Sequence, residues 1–328
     1  MEKELIIKIL EYSIHSPSTH NTQPWLFKIL SEGVSIYFDE KLFLPEADKD
    51  GRDLYISFGC LIENIIISSG HFGFEVNVST FFKNDNHIVD IVFTKDNLKI
   101  NNYNNNEKLF NTILKRVNSR GKFKEEDIFN NVTLIIEDSI VELNACDCSL
   151  TILDDKEDIK SMAELTREAM HLAYNKSSFR REVSHWMNSN LSFKKEGIPG
   201  YALKLPLVLS LIIPFIIRYF DIGKLLGRLN FESIKSSPLI FVFSSKNNLK
   251  NDWINIGIYA EKFMLLLQSE GYQTSIFVGS IEISDLYKEV SILTKIKEGR
   301  PQFIFAVGHI DGKHKTTPRH KLEDKLIV

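Results

Sequence analysis

One residue pattern occurs twice in the chain, and its two copies stay in register throughout. The matching pairs, each 198 positions apart, are Tyr55 and Trp253, Ile56 and Ile254, Gly59 and Gly257, Glu63 and Glu261, Gly73 and Gly271, and Phe74 and Tyr272. In both copies the pattern runs along an apolar segment that predicts a long helix, and it ends where a strand is predicted to begin. A glycine at the same point of two such helices lets them cross closely, as paired helices do in a two-fold dimer. The repeat therefore predicts a dimer-like pair of halves within one polypeptide.

The composition is that of an ordinary globular protein. The 328 residues are 43% hydrophobic and 25% charged, which allows one large or two modest domains. The net charge of −3 argues against a nucleic-acid coat. Cys60, Cys146 and Cys148 cannot form a disulfide framework, and Cys-x-Cys lacks the further ligands of a zinc site. The N-terminus starts a charged amphipathic helix and does not resemble a signal peptide, so we expect a reducing, cytoplasmic location and no metal.

Hydrophobic periodicity predicts a mixed succession of helices and strands. The predicted helices lie near 3–15, 53–71, 107–117, 156–175, 178–189, 251–270 and 282–290. The predicted strands lie near 25–31, 34–39, 74–82, 87–94, 132–137, 149–153, 239–243, 273–278 and 302–307. The asparagine-rich run 101–106 has no core-forming pattern and indicates a linker. We therefore expect two halves, at 1–106 and 107–328.

An unusually apolar segment, Leu205–Ile217, interrupts the second half. Its thirteen residues fall short of the roughly 20 that span a bilayer, and Pro206 and Pro214 are expected to break it. The sequence favours a buried or lid-forming segment over contact with a membrane.

A polar loop is predicted at 16–25, between the first helix and the first strand. Its sequence is Ser-Pro-Ser-Thr-His-Asn-Thr-Gln-Pro-Trp, and Pro17 and Pro24 disfavour helix at its two ends. Such a loop can present N–H groups and short polar side chains to a flat polar heterocycle. An ordinary turn built on its Asn and Ser residues is the alternative.

Three arginines form a candidate anion site. Arg116 and Arg120 are four residues apart at the C-terminus of a predicted helix, where two guanidinium groups suit a phosphate. Arg319, preceded by Pro318, offers a third. The alternatives are a solvated basic helix end for the first two and a disordered basic tail for the third.

These elements together resemble the nitroreductase family, and most closely its fused double-domain, Acg-like branch. The family pattern Pro-Ser-x-x-Asn-x-Gln-Pro-Trp is met by Pro17, Ser18, Asn21, Gln23, Pro24 and Trp25. Its arginine element is met by Arg116, Asn118 and Arg120, and its Thr-Pro-Arg tail by Thr317, Pro318 and Arg319. The resemblance implies an α+β, nitroreductase-like fold of two tandem halves that form an intramolecular pseudo-dimer. It also implies one FMN site between the halves and a lid insertion at about 190–235.

The resemblance further implies roles for individual residues. Arg116, Arg120 and Arg319 would neutralise the FMN phosphate, and Asn118 would bind the ribityl chain or the ring. The residues expected at the edge of the flavin ring are Pro17, Ser18, Thr19 and Asn21. Gln23 and Trp25 are expected to fix the loop, whereas His20 either approaches the ring or is exposed. No side chain is assigned as a catalytic acid or nucleophile, because the flavin carries the hydride chemistry.

Two functions remain open from the sequence. The first is an oxidoreductase in which NAD(P)H reduces FMN, which then reduces a nitro-compound, a quinone or a similar acceptor. The second is a flavin-sequestering protein whose lid covers FMN and permits little or no turnover. For either function we expect a monomer with an internal pseudo-two-fold, with a higher oligomer as the alternative. We also expect no nucleic-acid partner, and a small-molecule electron acceptor or none.

Overall fold

Two four-stranded antiparallel sheets in this chain share one connectivity. In the computed structural model, residues 2–82, 86–95 and 103–327 are described. The first half contains α1 (Lys3–Ser13), β1 (Trp25–Ile29), β2 (Gly33–Phe38), α2 (Arg52–His71), β3 (Phe74–Thr80) and β4 (His87–Lys95), followed by α3 (Tyr103–Ile113). Its sheet has the order β1-β2-β4-β3, with each neighbouring pair antiparallel.

The second half repeats this plan with an insertion. Its elements are α4 (Phe129–Asn144), β5 (Cys148–Leu153), α5 (Lys156–Asn175), α6 (Ser177–Trp186), β6 (Met187–Asn188), β7 (Ile198–Pro199), α7 (Leu207–Tyr219), α8 (Gly223–Lys235), β8 (Leu239–Ser245), α9 (Lys250–Ser269), β9 (Gln273–Ile276), α10 (Gly279–Glu282), α11 (Leu286–Leu293) and β10 (Arg300–Gly308). The sheet order β5-β8-β10-β9 corresponds strand by strand to that of the first half, again with antiparallel neighbours. In each half a helix precedes the first strand and a long helix joins the second strand to the third.

The two long helices, α2 and α9, cross at the repeated glycines. A Cβ atom on Gly59 would lie 2.1 Å from the carbonyl oxygen of Ile254, and one on Gly257 would lie 2.1 Å from that of Ile56. Both distances are far below van der Waals contact, so only glycine allows this approach. The close crossing predicted from the repeat is therefore observed, and side chains from both halves form one continuous apolar core around it.

The C-terminal tail returns to the first half. Leu326 forms a parallel bridge with Phe27 of β1, and the Ile327 N–H donates to the Phe27 carbonyl at 2.8 Å. A second crossing segment follows α3, where the Ser119 N–H donates to the carbonyl of Thr274 in β9 at 2.8 Å. These segments bring residues near 116–120 and 317–325 to the junction of the two halves.

The insertion between β5 and β8 contains α5 to α8. Helix α5 packs on α8, and α6 packs on α7. The inner face of α7, with Ile213 and Ile217, joins a small core that contains Tyr174 and Val183. No helix in the described part of the chain is both long enough and apolar enough to cross a membrane.

Several predicted elements are wrong. The strand expected at 132–137 is the middle of α4, because Val132, Ile136 and Leu143 are buried at helical spacing. Packing of this face outweighs the strand preference of its β-branched residues. Pro214 lies inside α7 and does not end it. The helix expected at 282–290 is two helices, α10 and α11.

The predicted linker is only partly open to comparison. Residues 101–102 lie outside the described residues, and α3 already begins at Tyr103, so 103–106 are helical. The helix expected at 107–117 therefore begins earlier than predicted, at Tyr103, and it also ends earlier, at Ile113. The division into 1–106 and 107–328 stays a prediction.

We expect Gly257→Ala to destabilise the fold by about 3 kcal/mol or more, because its Cβ would strike the α2 backbone and the helices would have to separate. The matched control is Gly279→Ala, whose Cβ would lie in ordinary contact, 3.4 Å from the Ala169 side chain. Denaturant unfolding of both variants measures the difference. Equal stability of the two would contradict the close crossing.

Candidate functional site

The loop at 16–24 has an unusual backbone. His20, Asn21 and Gln23 have φ angles of 52°, 56° and 52°, in the left-handed region. Each such residue costs about 1–2 kcal/mol unless its side chain compensates, as that of Asn often does. Three within four positions must be held by their surroundings, and backbone strain of this kind clusters at functional sites.

The C-terminal tail supplies much of the restraint. The Arg319 guanidinium donates to the carbonyls of His15 and Ser16 at 3.1 and 3.2 Å. The Lys325 ammonium donates to the Gln23 carbonyl at 2.7 Å. The His320 N–H donates to Oε1 of Gln23 at 2.9 Å. The tail predicted as a possible disordered segment is therefore bonded along the loop.

Asn21 links the loop to the insertion and to the tail. Its Nδ2 lies 3.2 Å from each of the carbonyl oxygens of Lys195, Gly197 and Pro318. Its Oδ1 accepts from Arg319 Nη1 at 2.7 Å. Asn21 and Arg319, predicted to contact opposite ends of FMN, are thus hydrogen-bonded to each other. The amide of Asn21 is fully used by protein atoms.

Arg116 lies beside these hydrogen bonds and forms a buried ion pair. Its Nε is 3.0 Å from Oε1 of Glu261 in α9. In the orientation that satisfies both neighbours, the Asn64 amide of α2 donates to Glu261 at 3.3 Å and accepts the Ser16 N–H at 3.2 Å. A continuous polar path therefore joins Arg116 to the start of the loop.

The positive charge of Arg116 acts on the buried groups around it. Burial, and then the charge of Arg116, lower the pKa of Arg319 to about 9. Burial and the same two guanidinium groups lower the pKa of His15 to about 4. Burial raises the pKa of Glu261 to about 7, although both arginines oppose the shift. The site therefore holds more positive than negative charge.

Asn118 and Arg120 are bonded to β9. Oδ1 of Asn118 accepts the Ile276 N–H at 2.9 Å. Arg120 Nη1 donates to the Ile276 carbonyl at 2.7 Å and lies 3.3 Å from Ser275 Oγ. Burial lowers the pKa of Arg120. The predicted site residues thus form two groups, one around the loop and one on the edge strand of the second sheet.

The other loop residues have structural partners. Ser18 Oγ accepts the Gln23 N–H at 2.9 Å, and Pro17 is half-buried. Gln23 donates to the Lys195 carbonyl at 2.7 Å, and Trp25 is fully buried in the core, so neither faces a ligand. These two positions agree with their expected role in fixing the loop.

His20 is half-buried, so the exposed alternative for it is wrong. Its Nε2 has no hydrogen-bond partner among the described residues. Burial lowers the pKa of His20 to about 4, against the attraction of Asp53, so the imidazole is neutral near pH 7. The sequence offered no local sign of this burial, since the turn at 19–21 packs on α2, which is distant in the sequence.

A buried acidic group beneath the loop was not predicted from the sequence. Thr19 Oγ1 donates to Asp53 Oδ2 at 3.3 Å, and Arg52 Nη2 lies 3.3 Å from Glu282 Oε1. Asp48 accepts the Asp53 and Leu54 N–H groups at 3.0 and 2.8 Å, capping α2. Burial and the nearby Asp53 raise the pKa of Asp48 to about 7 and that of Glu282 well above its usual range. Asp48 and Glu282 can therefore retain protons near neutral pH.

The two equivalent glutamates of the repeat have different surroundings. Glu261 pairs with Arg116. The positive charge that most lowers the pKa of Glu63 is that of Lys262, which itself pairs with Glu142. Burial raises the pKa of Glu63 to about 7. Among the described residues, the arginines of the candidate anion site therefore act on Glu261, and Arg116 pairs with it and not with Glu63.

Comparison with known proteins agrees with this architecture. A putative nitroreductase from Anabaena variabilis superposes with a TM-score of 0.53 over 94% of this chain and 88% of that one, at 10% identity. The fold is nitroreductase-like. An FMN-dependent nitroreductase, NfnB, from Mycobacterium smegmatis, solved with NADPH, covers 66% of this chain and 96% of its own at a TM-score of 0.42 and 15% identity. That score is too low to add to the argument.

The sequence comparison points the same way over a short region. Two curated proteins of Mycobacterium tuberculosis, named "Putative NAD(P)H nitroreductase" Rv3131 and MT3217, are 26% identical to this chain over 80 residues. The match spans 24% of this chain and 23% of each relative, less than a quarter of their length. No family model matches the chain. Curated names and fold both support a relation to nitroreductases.

We expect Arg319→Ala to lower the free energy of unfolding by about 3 kcal/mol, because several buried acceptors of the loop lose a charged donor. Amide hydrogen exchange in residues 17–24 should also accelerate. The matched control is Arg180→Ala, since Arg180 likewise donates to two carbonyls, those of Tyr174 and Asn175, at 2.6 and 3.1 Å. If both variants leave exchange of the loop unchanged, the tail does not restrain it.

Proposed function

We propose that the chain is an FMN-binding oxidoreductase that transfers hydride from NAD(P)H to a nitro-compound, a quinone or a similar acceptor. The observation that carries the proposal is the pair of buried guanidinium groups, Arg116 and Arg319, beside the strained loop. The nitroreductase-like fold and the names of the curated relatives support the reaction class. We also propose that the two halves act as a pseudo-dimer in a monomeric chain.

The donors around these arginines fit the phosphate of FMN. Arg116 Nη1, Arg319 Nε and Ser16 Oγ are buried and have no hydrogen-bond partner among residues 2–82, 86–95 and 103–327. Buried donors of this kind are normally satisfied, and two guanidinium groups suit an anion with several acceptor oxygens. The two guanidinium groups carry more positive charge than the carboxyl group of Glu261 can balance, and this also favours an anionic ligand.

Arg120 and Asn118 would extend this contact along β9. In the described structure Arg120 donates only through Nη1, so the rest of its guanidinium can serve a ligand. When bound, FMN supplies the hydride-transfer chemistry, and the chain binds and orients it. Pro17, Ser18 and Thr19 would meet the ring edge, with His20 neutral beside them.

A flavin-sequestering protein is the second candidate, and one contact favours it. The carbonyl oxygens of Lys195 and Gly197, in the insertion, accept from the side chains of Asn21 and Gln23. In this arrangement Asn21 does not fit as a ring ligand, because its amide is bonded to the insertion and the tail. We propose that this segment serves as the lid, which either moves during turnover or restricts it.

We expect the purified protein to show the visible absorbance of FMN, and Arg120→Ala to weaken FMN binding by about ten- to a hundredfold, as loss of a charge-assisted bond would. Fluorescence titration of the apoprotein measures both. Arg167→Ala is the control, because Arg167 is a half-exposed arginine on α5 that pairs with Glu164. Failure of the wild-type chain to bind FMN would overturn the cofactor assignment.

Anaerobic addition of NADH or NADPH to the FMN-loaded protein separates the two functions. We expect rapid loss of the oxidised flavin spectrum, followed by its recovery when a quinone or a nitroaromatic compound is added. An unchanged spectrum with bound FMN would exclude the oxidoreductase and favour sequestration.

A further inference from the structure

The outer face of α7 is apolar and exposed. Its residues and their exposed fractions are Leu207 47%, Val208 73%, Leu211 53%, Ile212 49%, Phe215 60% and Tyr219 61%. Positions four apart, such as 207, 211, 215 and 219, lie on one side of a helix. A contiguous surface of this kind marks an interaction site in a soluble fold.

The protein covers only the opposite face of this helix. Ser210 and Ile217 are buried, and Ile213 packs on the small core formed with α6. A helix that is apolar all round is normally enclosed on every side. Within the described structure, the α7 outer face has no such cover.

The exposed apolar face lies within a basic segment of an acidic chain. Residues 191–229 carry six basic side chains, at Lys194, Lys195, Lys204, Arg218, Lys224 and Arg228, and all six are exposed. The acidic residues of this segment are Glu196 and Asp221, whereas the whole chain has a net charge of −3. None of the six basic groups forms an ion pair with a described residue.

We propose that the α7 outer face docks on an anionic lipid surface. Its helix has 13 residues, about 20 Å in length, which is too short for the ~30 Å hydrocarbon layer. The helix would lie in the plane of the interface with its apolar side chains below the headgroups. Lys and Arg side chains of the segment would reach anionic headgroups, and Phe215, Tyr219 and Phe220 suit the boundary layer.

Charge favours a lipid surface over a second copy of the chain. A two-fold contact through this face would bring each basic segment against its own duplicate. The segment contributes two acidic residues to such a contact, Glu196 and Asp221, against six basic ones. Most of its basic side chains would therefore face like charges. An anionic bilayer supplies both the apolar layer and the opposite charge. The proposal does not depend on whether the chain binds FMN.

Sedimentation of the full chain with vesicles tests this proposal. We expect binding to phosphatidylcholine vesicles containing about one third phosphatidylglycerol, and much weaker binding to phosphatidylcholine alone or at raised salt. Val208→Ser with Phe215→Ser should lower the partition coefficient about tenfold, because less apolar surface is transferred. Arg218→Gln with Lys224→Gln should lower it about tenfold on anionic vesicles only.

The matched control is Leu134→Ser with Val141→Ser on α4, whose side chains are 72% and 68% exposed. This control should bind vesicles as the wild-type chain does, and circular dichroism should show that all variants are folded. Absence of vesicle binding, equal binding to both lipid compositions, or equal losses in control and α7 variants would overturn the proposal. So would a wild-type dimer that the α7 variant converts to a monomer, since a second copy would then cover the face.

Discussion

The close crossing of α2 and α9 is the contact on which the rest of the structure depends. Because Gly59 and Gly257 bring the two backbones together, residues one turn further along both helices meet as well. Asn64 of α2 reaches Glu261 of α9, and through them the start of the loop is linked to Arg116. A larger residue at either glycine would separate the halves and break this polar path. The candidate site is thus a product of helix packing.

The loop and the C-terminal tail depend on each other in a second way. The left-handed conformations of His20, Asn21 and Gln23 are unfavourable in an isolated peptide. Contacts from Arg319 and Lys325 hold them, and the insertion adds the carbonyls of Lys195 and Gly197. Three segments distant in sequence therefore define one loop shape. The tail contacts from Arg319 and Lys325 are separate from those of the insertion, so they restrain the loop independently of it.

Sequence patterns predicted the structural features that depend on a few positions close together in the chain. The glycine repeat predicted the helix crossing because the steric requirement for glycine lies at one position of each helix. The strands predicted near 25–31 and 34–39 are observed as the hairpin of β1 and β2. The strand expected at 132–137 failed because burial against α9, and not β-branching, determines the conformation of α4. The interior Pro214 shows the same dominance of packing.

Those patterns did not predict the hydrogen bonds and ion pairs between residues that are distant in the sequence. The motif marked Arg319 and Asn21 as site residues, yet nothing local indicates that they bond to each other across the fold. Glu261 was recognised as part of the repeat without its role as the partner of Arg116. The acidic group around Asp53 and Glu282 was missed because its members become neighbours only after the halves assemble. The sequence pointed to residues of the candidate site but not to the contacts between them.

Burial of the two equivalent glutamates has a consequence for the pH dependence of stability. Burial raises the pKa of Glu63 from 4.5 to about 7, so the folded chain keeps a proton there that the unfolded chain releases. This group therefore stabilises the fold most in acid, below about pH 4.5, and its contribution is lost as the pH rises through about 7. Burial raises the pKa of Glu261 to about 7 as well, although the charges of Arg116 and Arg319 oppose that shift. Two buried carboxyl groups at the helix crossing therefore make the fold sensitive to alkali at its centre.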